Sequence, residues 1–418
     1  MSVTGALAFA LVPALLRAQA GAPIAKASDS ASAKSAVTQV TIPVGVAVGG
    51  YLQTDWRTFL RDSTNKYTND FTVRRLRVDI SGTVSKYVAF RVQPDFAGSK
   101  VVLNDAYADL SASPALILRV GKAKVPLSLE RAQATPATLF VEQGATLTIA
   151  PNYDIGAQLL GTLFGGIVFY DAGVFNGIPD GANIDDDTDD SKDIAGRIQI
   201  TPFARQKGFI LDGLTFGGGG TYGKRQGLTA TPETPSYKSA AQQTFLSYLS
   251  TVVANGTTDR LSAYGADYTG PFSIFAEWIR SRQALRSTSA TTPPVVTTGT
   301  LENHAYQVYG TFVVTGEKTS YRGVNPKNAF DPSNGHWGAL ELIARYDQFK
   351  ADDATAAPFV DLTKSATTAT SRTFGFNWYL TNKVRAEVNY QYTTFAHGAT
   401  AGDRAAERVI LTRLQTVF

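Results

Sequence analysis

The chain has 418 residues, is 44% hydrophobic and 11% aromatic, and carries a formal net charge of +4 with no cysteine. Without cysteine there is no disulfide frame and no thiolate chemistry, and a net charge this close to neutral for the length says nothing about partners. Its mean hydropathy of −0.08 excludes a helical membrane protein, which needs apolar runs of about 20 residues, but not a membrane barrel, whose strands are apolar only at alternate positions.

Residues 1–20 read as a signal peptide. The apolar run "ALAFALVPALLRAQA" ends on Ala18-Gln19-Ala20, an A-x-A cleavage pattern, although Met1 to Gly5 lack the usual Lys or Arg. A buried helix is the competing reading. Residues 21–43 are rich in Ala and Ser, aperiodic, and read as a flexible leader.

From residue 44 to 418 the pattern is all-β. About sixteen apolar/polar alternating segments follow, near 45–60, 70–84, 86–97, 101–111, 116–125, 153–163, 165–176, 192–203, 211–225, 259–270, 271–283, 303–316, 337–349, 370–381, 383–396 and 405–418. Clusters of Gly, Pro, Asn, Asp and Ser separate them. Tight connections (85–86, 270–271, 381–382) are expected to alternate strictly with long ones (61–69, 126–152, 177–191, 226–258, 284–302, 317–336, 350–369, 397–404). That rhythm predicts a transmembrane up-and-down antiparallel β-barrel with tight turns at one end and long loops at the other. Trp56, Phe59, Phe169, Tyr170, Trp278, Trp378, Tyr379, Tyr390 and Tyr392 fall near segment ends, as interfacial girdles do.

The charges follow the period of two. In "VRRLRVDISG" (73–82), Leu76, Val78 and Ile80 share one face and Arg75, Arg77 and Asp79 the other, while Arg74 falls on the greasy side. Arg91, Arg119 and Arg197 lie on the polar faces of later segments. Lys122 and Lys124 follow Arg119 on the opposite parity, so a bulge is expected there. A closed barrel turns these faces inward around water. The expected anion path is then Arg75, Arg77, Arg91, Arg119, Lys122, Lys124 and Arg197. A purely structural alternative pairs Arg75, Arg77 and Arg91 with Asp79, Asp95, Asp105 and Asp109. Loop 126–152 is apolar for an exposed loop and carries only Glu130, Arg131 and Glu142 as charges. It is expected to fold inward and narrow the pore; packing on a neighbouring subunit is the alternative.

Several stretches "DAYADL" (105–110), "LRVGKAKVPLSLER" (118–131), "PNYDIGAQLLG" (151–161), "DAGVFNG" (171–177), "DDSKDIAGRIQITPF" (189–203) and "YRGVNPKNAFDPSNGHWGALELIARYDQF" (321–349) resemble, in the same order, the phosphate-selective porin O/P family. The resemblance runs from about Gly45 to Phe418. It implies a sixteen-stranded homotrimeric channel of the bacterial outer membrane, passing small anions with phosphate suspected. In it, anions move along lumenal arginines to a lysine-lined constriction; Arg75, Arg77, Arg119, Lys122 and Lys124 stand at matching positions. The closing Phe418 on an alternating last strand is what the barrel-assembly machinery reads in barrels of this class.

The other signals are weaker. "DDDTDDSKD" (185–193) reads as a solvated loop, lacking the glycine and glutamate of a calcium loop. "GGGG" (217–220) is not followed by G-K-[ST], so it reads as close strand approach or room for the inward loop. His304, His336 and His397 have no metal spacing, and no interleaved basic and aromatic stretch suggests nucleic acid. The expected function is a passive, anion-biased outer-membrane porin, not an enzyme, with no cofactor or metal and with outer-membrane lipid as its surroundings. The alternatives are a structural or adhesive barrel with a plugged lumen, and an outer-membrane hydrolase using His397.

Overall fold

Segments with a two-residue period become strands, and the strands close into one wall. The computed structural model describes residues 45–60, 67–185, 187, 189–206 and 208–418; the expected signal peptide (1–20) and leader (21–43) lie outside the described residues. Sixteen strands make the wall: β1 (Gly45–Phe59), β2 (Asp70–Ser85), β3 (Val88–Asp95), β4 (Val102–Ser113), β5 (Leu116–Lys124), β6 (Tyr153–Leu163), β7 (Val168–Phe175), β8 (Asp193–Ile200), β9 (Thr215–Gln226), β10 (Val252–Thr269), β11 (Phe272–Thr288), β12 (Val296–Val313), β13 (Ala339–Ala351), β14 (Ala366–Tyr379), β15 (Val384–Ala399) and β16 (Glu407–Val417). Each pairs antiparallel with the next, and β16 pairs with β1 from Tyr51↔Val417 to Phe59↔Val409. Closure removes both sheet edges, which a bilayer demands. At the seam Phe418 exchanges two backbone hydrogen bonds of 3.0 Å with Gly50. A Cβ on Gly50 would stand 2.8 Å from the Phe418 ring, so this close approach needs glycine.

The wall is inverted relative to a soluble protein. Gln53, Asn303, Gln307 and Glu387 are wholly buried, whereas Val48 is 65%, Phe71 81% and Ile194 63% exposed. Polar faces point inward and apolar faces outward to lipid. The same pleat divides the aromatics. Trp56 stacks on Phe71 at the outside, but Phe59 and Tyr379, expected in girdles, sit at inward parity and are buried.

One end carries the short turns 86–87, 114–115, 164–167, 270–271 and 380–383. The expected strict alternation nevertheless fails at this end, where 201–214 and 314–338 are long. The second of these folds into the barrel mouth: Thr319 and Val324 are buried, and the Tyr321 hydroxyl donates to the Leu129 carbonyl at 2.7 Å. Its outer part packs Phe330 and Trp337 against Trp378. At the other end β10, β11 and β12 run further than their periodicity predicts, so expected loops 226–258 and 284–302 shorten to 227–251 and 289–295. Residues there are Ser- and Thr-rich on both faces, which hides the alternation once a strand rises beyond the apolar band.

The core lies inside the barrel, on one side. Leu127 and Ile149 from segment 125–152, Tyr237, Phe245 and Leu246 from 227–251, and Phe359 and Val360 from 352–365 pack on Ile279, Leu285, Leu301, Phe349 and Phe395 of β11, β12, β13 and β15. These three inward segments fill the lumen on that side; 176–192 also reaches in, burying Asp180 and meeting Lys122 through Asp185, and the β2–β5 side stays partly open around Asp79 and Arg91.

Candidate channel constriction

Loop 126–152 folds inward as its apolar composition predicts. Its short helices α1 (Leu129–Ala132) and α2 (Thr146–Ile149) are laced to the wall through polar side chains that the sequence hides on inward faces. Glu277 accepts from the Leu129 N–H at 2.8 Å and the Ser128 hydroxyl at 3.0 Å. Asn377 donates to Leu139 O at 3.0 Å, Arg385 to Thr138 O at 2.7 Å, and Arg345 to Glu142 O at 3.1 Å. The Val141 N–H donates to Asn389 at 2.8 Å. These bonds satisfy loop backbone that a dry interior would otherwise leave unpaired. Gly219, second-last of the four-glycine run, faces this loop: a Cβ there would stand 2.9 Å from Leu127 O and 2.8 Å from Gly196 O.

Between the loop and the open side lies a cavity of about 570 Å³. Its charged lining is Arg74, Arg75, Arg77, Lys124, Arg131 and Lys238 against Asp95, Glu130, Glu142 and Asp180. Position on β2 explains the first three. Gln53 pairs with Arg75 and Thr54 with Val73, so the register slips at Arg74. This bulge turns Arg74 inward, correcting its expected place on the greasy face, and sets its Nε 2.7 Å from Glu142. An arginine at lipid-facing parity was itself the signal, because bare exposure there is costly. Burial pushes the Glu142 carboxyl up, but Arg74 beside it prevails and holds it down to about 2.

Arg75, Lys124, Arg131 and Lys238 lie farther than 4.0 Å from carboxylates among the described residues, and the first three are held by neutral groups. Arg75 donates to Gln53 Oε1 at 2.8 Å. Lys124 donates to Gln133 O at 2.7 Å and lies over the Tyr153 ring. Arg131 donates to Leu147 O at 2.6 Å, Ala150 O at 3.2 Å and Gln143 at 3.2 Å. All three bond to neutral oxygens, so none is cancelled by a contacting anion. Burial lowers Arg131 to about 10, with Glu130 acting against the shift. Glu130 is raised by burial, against Arg345, and is held by Gln307 and Thr146.

The remaining expected path residues fall elsewhere. Arg77 lines the cavity but pairs with Asp95 at 2.8 Å. Arg91 spans Asp79 and Asp105, and Arg119 grips Asp109 through two bonds of 2.7 and 2.8 Å. Lys122 is buried against Asp185 of the acidic run, and Arg197 lies over the Phe169 ring at 5.1 Å. These four do not line the cavity, so the expected row of cations is interrupted by wall pairs. The bulge expected after Arg119 takes another form: pairing stays in register, and Gly121 adopts φ +127, where its Cβ would stand 2.8 Å from the Tyr107 Cα. Periodicity missed Arg74 and Lys238. Lys238 comes from segment 227–251, whose apolar "TFLSYLSTVV" (244–253) marked it as something other than a solvated loop.

Comparison with solved structures finds outer-membrane channels. The chain is similar to the outer-membrane channel DcaP of Acinetobacter baumannii, with TM-score 0.57, 12% identity, and 90% of this chain and 97% of that one covered. It is similar to OmpT of Vibrio cholerae, with TM-score 0.55, 12% identity and coverage of 90% and 98%. Pseudomonas putida OprB gives TM-score 0.53, 10% identity and coverage of 90% and 94%. Identities this low speak to the fold alone. No curated protein sequence matches the chain. The family described as phosphate-selective porin O and P matches residues 46–418, nearly the whole chain. With a closed sixteen-stranded wall and a folded-in loop already in hand, the chain belongs to the phosphate-selective porin O and P family and is a porin of the bacterial outer membrane.

Proposed function

We propose that this porin is a passive diffusion channel biased to small anions, with phosphate or polyphosphate as the candidate solute. The observation that carries this reading is the trio Arg75, Lys124 and Arg131 around the constriction cavity, bonded only to neutral oxygens. A water-filled path beside uncancelled cations lowers the energy of an anion and raises that of a cation. The test is the reversal potential across a planar bilayer under a KCl gradient: Cl⁻ permeability above K⁺ is expected, and K⁺ preference overturns the anion reading. Phosphate added to that chloride current is expected to block it; an unchanged current leaves a general anion channel and removes phosphate.

A second reading, a structural barrel with a plugged lumen, draws on the inward segments 125–152, 227–251 and 352–365. Absence of any conductance would favour it. A hydrolase centred on His397 has little support. Thr367 and Asp353 approach the same nitrogen, Nδ1, at 2.9 and 3.8 Å, which is not a relay from nucleophile through base to acid.

Partners follow from the outside of the barrel. Strands β3, β7 and β8 have eight residues each, about 20 Å of height at a tilt of ~40°, short of a ~25 Å apolar band. Such a low wall suits contact with other copies, in the homotrimer that the resemblance implies, and cross-linking across β7 and β8 tests it. Phe418, at the end of the closing strand, is the segment the assembly machinery would read.

A further inference from the structure

The outer surface is charged on one side only. No charged residue of β1–β8 is exposed. On β11–β16, by contrast, outward positions carry Arg280, Arg282, Lys350, Arg372 and Arg408. Register arranges them in rows. Arg280 stands opposite His304, and His304 opposite Lys350, across β11, β12 and β13. Tyr346 stands opposite Arg372, Arg372 opposite Tyr392, and Tyr392 opposite Arg408, across β13 to β16. Arg372 lies over the Tyr346 ring at 5.7 Å and Arg408 over the Tyr392 ring at 5.0 Å.

Acids on this face offset only part of that charge. Asp259 takes Arg280 at 2.6 Å, and Glu302 takes Arg282 at 3.4 Å. Lys350, Arg372 and Arg408 have no carboxylate within 4.0 Å among the described residues. Height places the band. Phe272 stacks on Phe312 at the short-turn end, and Arg280 and Arg282 lie eight and ten residues further along β11. At ~3.3 Å per residue and a tilt of ~40°, that is about 20–25 Å higher, at the upper border of the apolar band. Bulk lipid tails do not solvate cations there, and interfacial aromatics hold the guanidinium planes in place.

We propose that the outer face of β11–β16 is a docking surface for a phosphorylated lipid headgroup of the outer leaflet, gripped by Lys350, Arg372 and Arg408. Phosphate oxygens accept the charge-assisted hydrogen bonds these cations offer, and acyl chains lie along the apolar positions below. The surface lies outside the lumen, so its occupancy is separate from conduction.

The test uses the full barrel reconstituted in phosphatidylcholine vesicles doped with bisphosphorylated lipid A or with its dephosphorylated form, followed by delipidation and mass analysis of what stays bound. Retention of the bisphosphorylated lipid over the dephosphorylated one is expected, falling with salt. Each of Lys350→Gln, Arg372→Gln and Arg408→Gln is expected to lower retention about fivefold, with unchanged heat-modifiable mobility and single-channel conductance. Equal retention of both lipids by the unmodified protein overturns the proposal without reference to any variant. So does a folded triple variant that retains lipid A as well as the parent.

Discussion

Arginines and acids line both halves of the barrel interior, under different conditions. On β13 and β15 they sit two residues apart, Arg345 with Asp347 and Arg385 with Glu387, beneath the folded-in loop and almost completely buried. On β2–β5, Arg91 with Asp79 and Arg119 with Asp109 are partly open to solvent. In the buried half each arginine also donates to a loop carbonyl, so the pair serves as a fixed bracket for the constriction. In the open half the pair closes on itself. Identical residue types thus build a loop support where water is excluded and a hydrated wall where it is not. The cations between the two regimes, Arg75, Lys124 and Arg131, bond to neutral oxygens instead.

Breaking a pair on each side is the strongest way to separate them. Arg385→Ala leaves Glu387 buried without its hydrogen-bonded partner, with only Arg413 across the strand pair, and a loss of ~3 kcal/mol is expected. Arg91→Ala leaves Asp79 near water and takes one contact from the buried Asp105, so a smaller loss than at Arg385 is expected. Denaturant midpoints of the folded barrel measure both, and equal losses would erase the distinction. Acid gives the next largest effect. Glu142 titrates in the barrel at about 2, below the ordinary glutamate value of about 4.3. A depressed acid contributes stability that is present above the ordinary value and lost as pH falls toward the folded one. The Arg74–Glu142 tether is therefore expected to hold at mildly acid pH and to lose on the order of 3 kcal/mol between about pH 4.5 and 2. Glu142→Gln should flatten that part of the stability profile; an unchanged slope would mean the tether does not carry it.

The contrast between halves was only partly legible in the sequence. A period of two on Leu76, Val78 and Ile80 against Arg75 and Arg77 is local, so strand, facing and barrel class could be read directly. Arg74 could not, because a bulge is decided by the pairing partner, here at Gln53 and Thr54. The apolar run in 126–152 betrayed a loop with somewhere dry to go. What receives it, Asn377, Arg385 and Asn389, lies more than two hundred residues away, and nothing local marks those residues as loop partners rather than lumen polar groups. The 314–338 excursion at the short-turn end broke an alternation that only a completed strand count reveals.

A steric change probes the border between the halves. Gly219 on β9 faces Leu127, near the start of the inward loop. Gly219→Val must push either the loop or β8, and a loss of ~1–3 kcal/mol is expected. Conductance is expected to change in the same variant, because the displaced loop lines the lumen cavity. Gly220→Val, one residue away on the outward face, is the control, since a Cβ there first meets the Leu261 side chain at 3.3 Å. It leaves the loop untouched, so a conductance change there as large as at Gly219 would detach the glycine run from the pore.

The smallest expected effect bears most directly on the solute. Lys124→Gln removes one of the three cations and leaves a side chain that still donates to Gln133 O. Lys124 has no carboxylate within 4.0 Å among the described residues and its ammonium bonds a carbonyl, so stability should change by less than in the other variants. A unit charge ~7 Å from an ion in water is worth about 0.6 kcal/mol. The charge acts with opposite sign on Cl⁻ and K⁺, so their permeability ratio should fall about sevenfold, as read from the reversal potential. Arg91→Gln, tied to Asp79 and Asp105 away from the cavity, should change that ratio much less. Equal changes in the two variants would mean that the wall as a whole sets selectivity. A change confined to Lys124 would place it at the constriction, where a cation without a contacting carboxylate meets the solute.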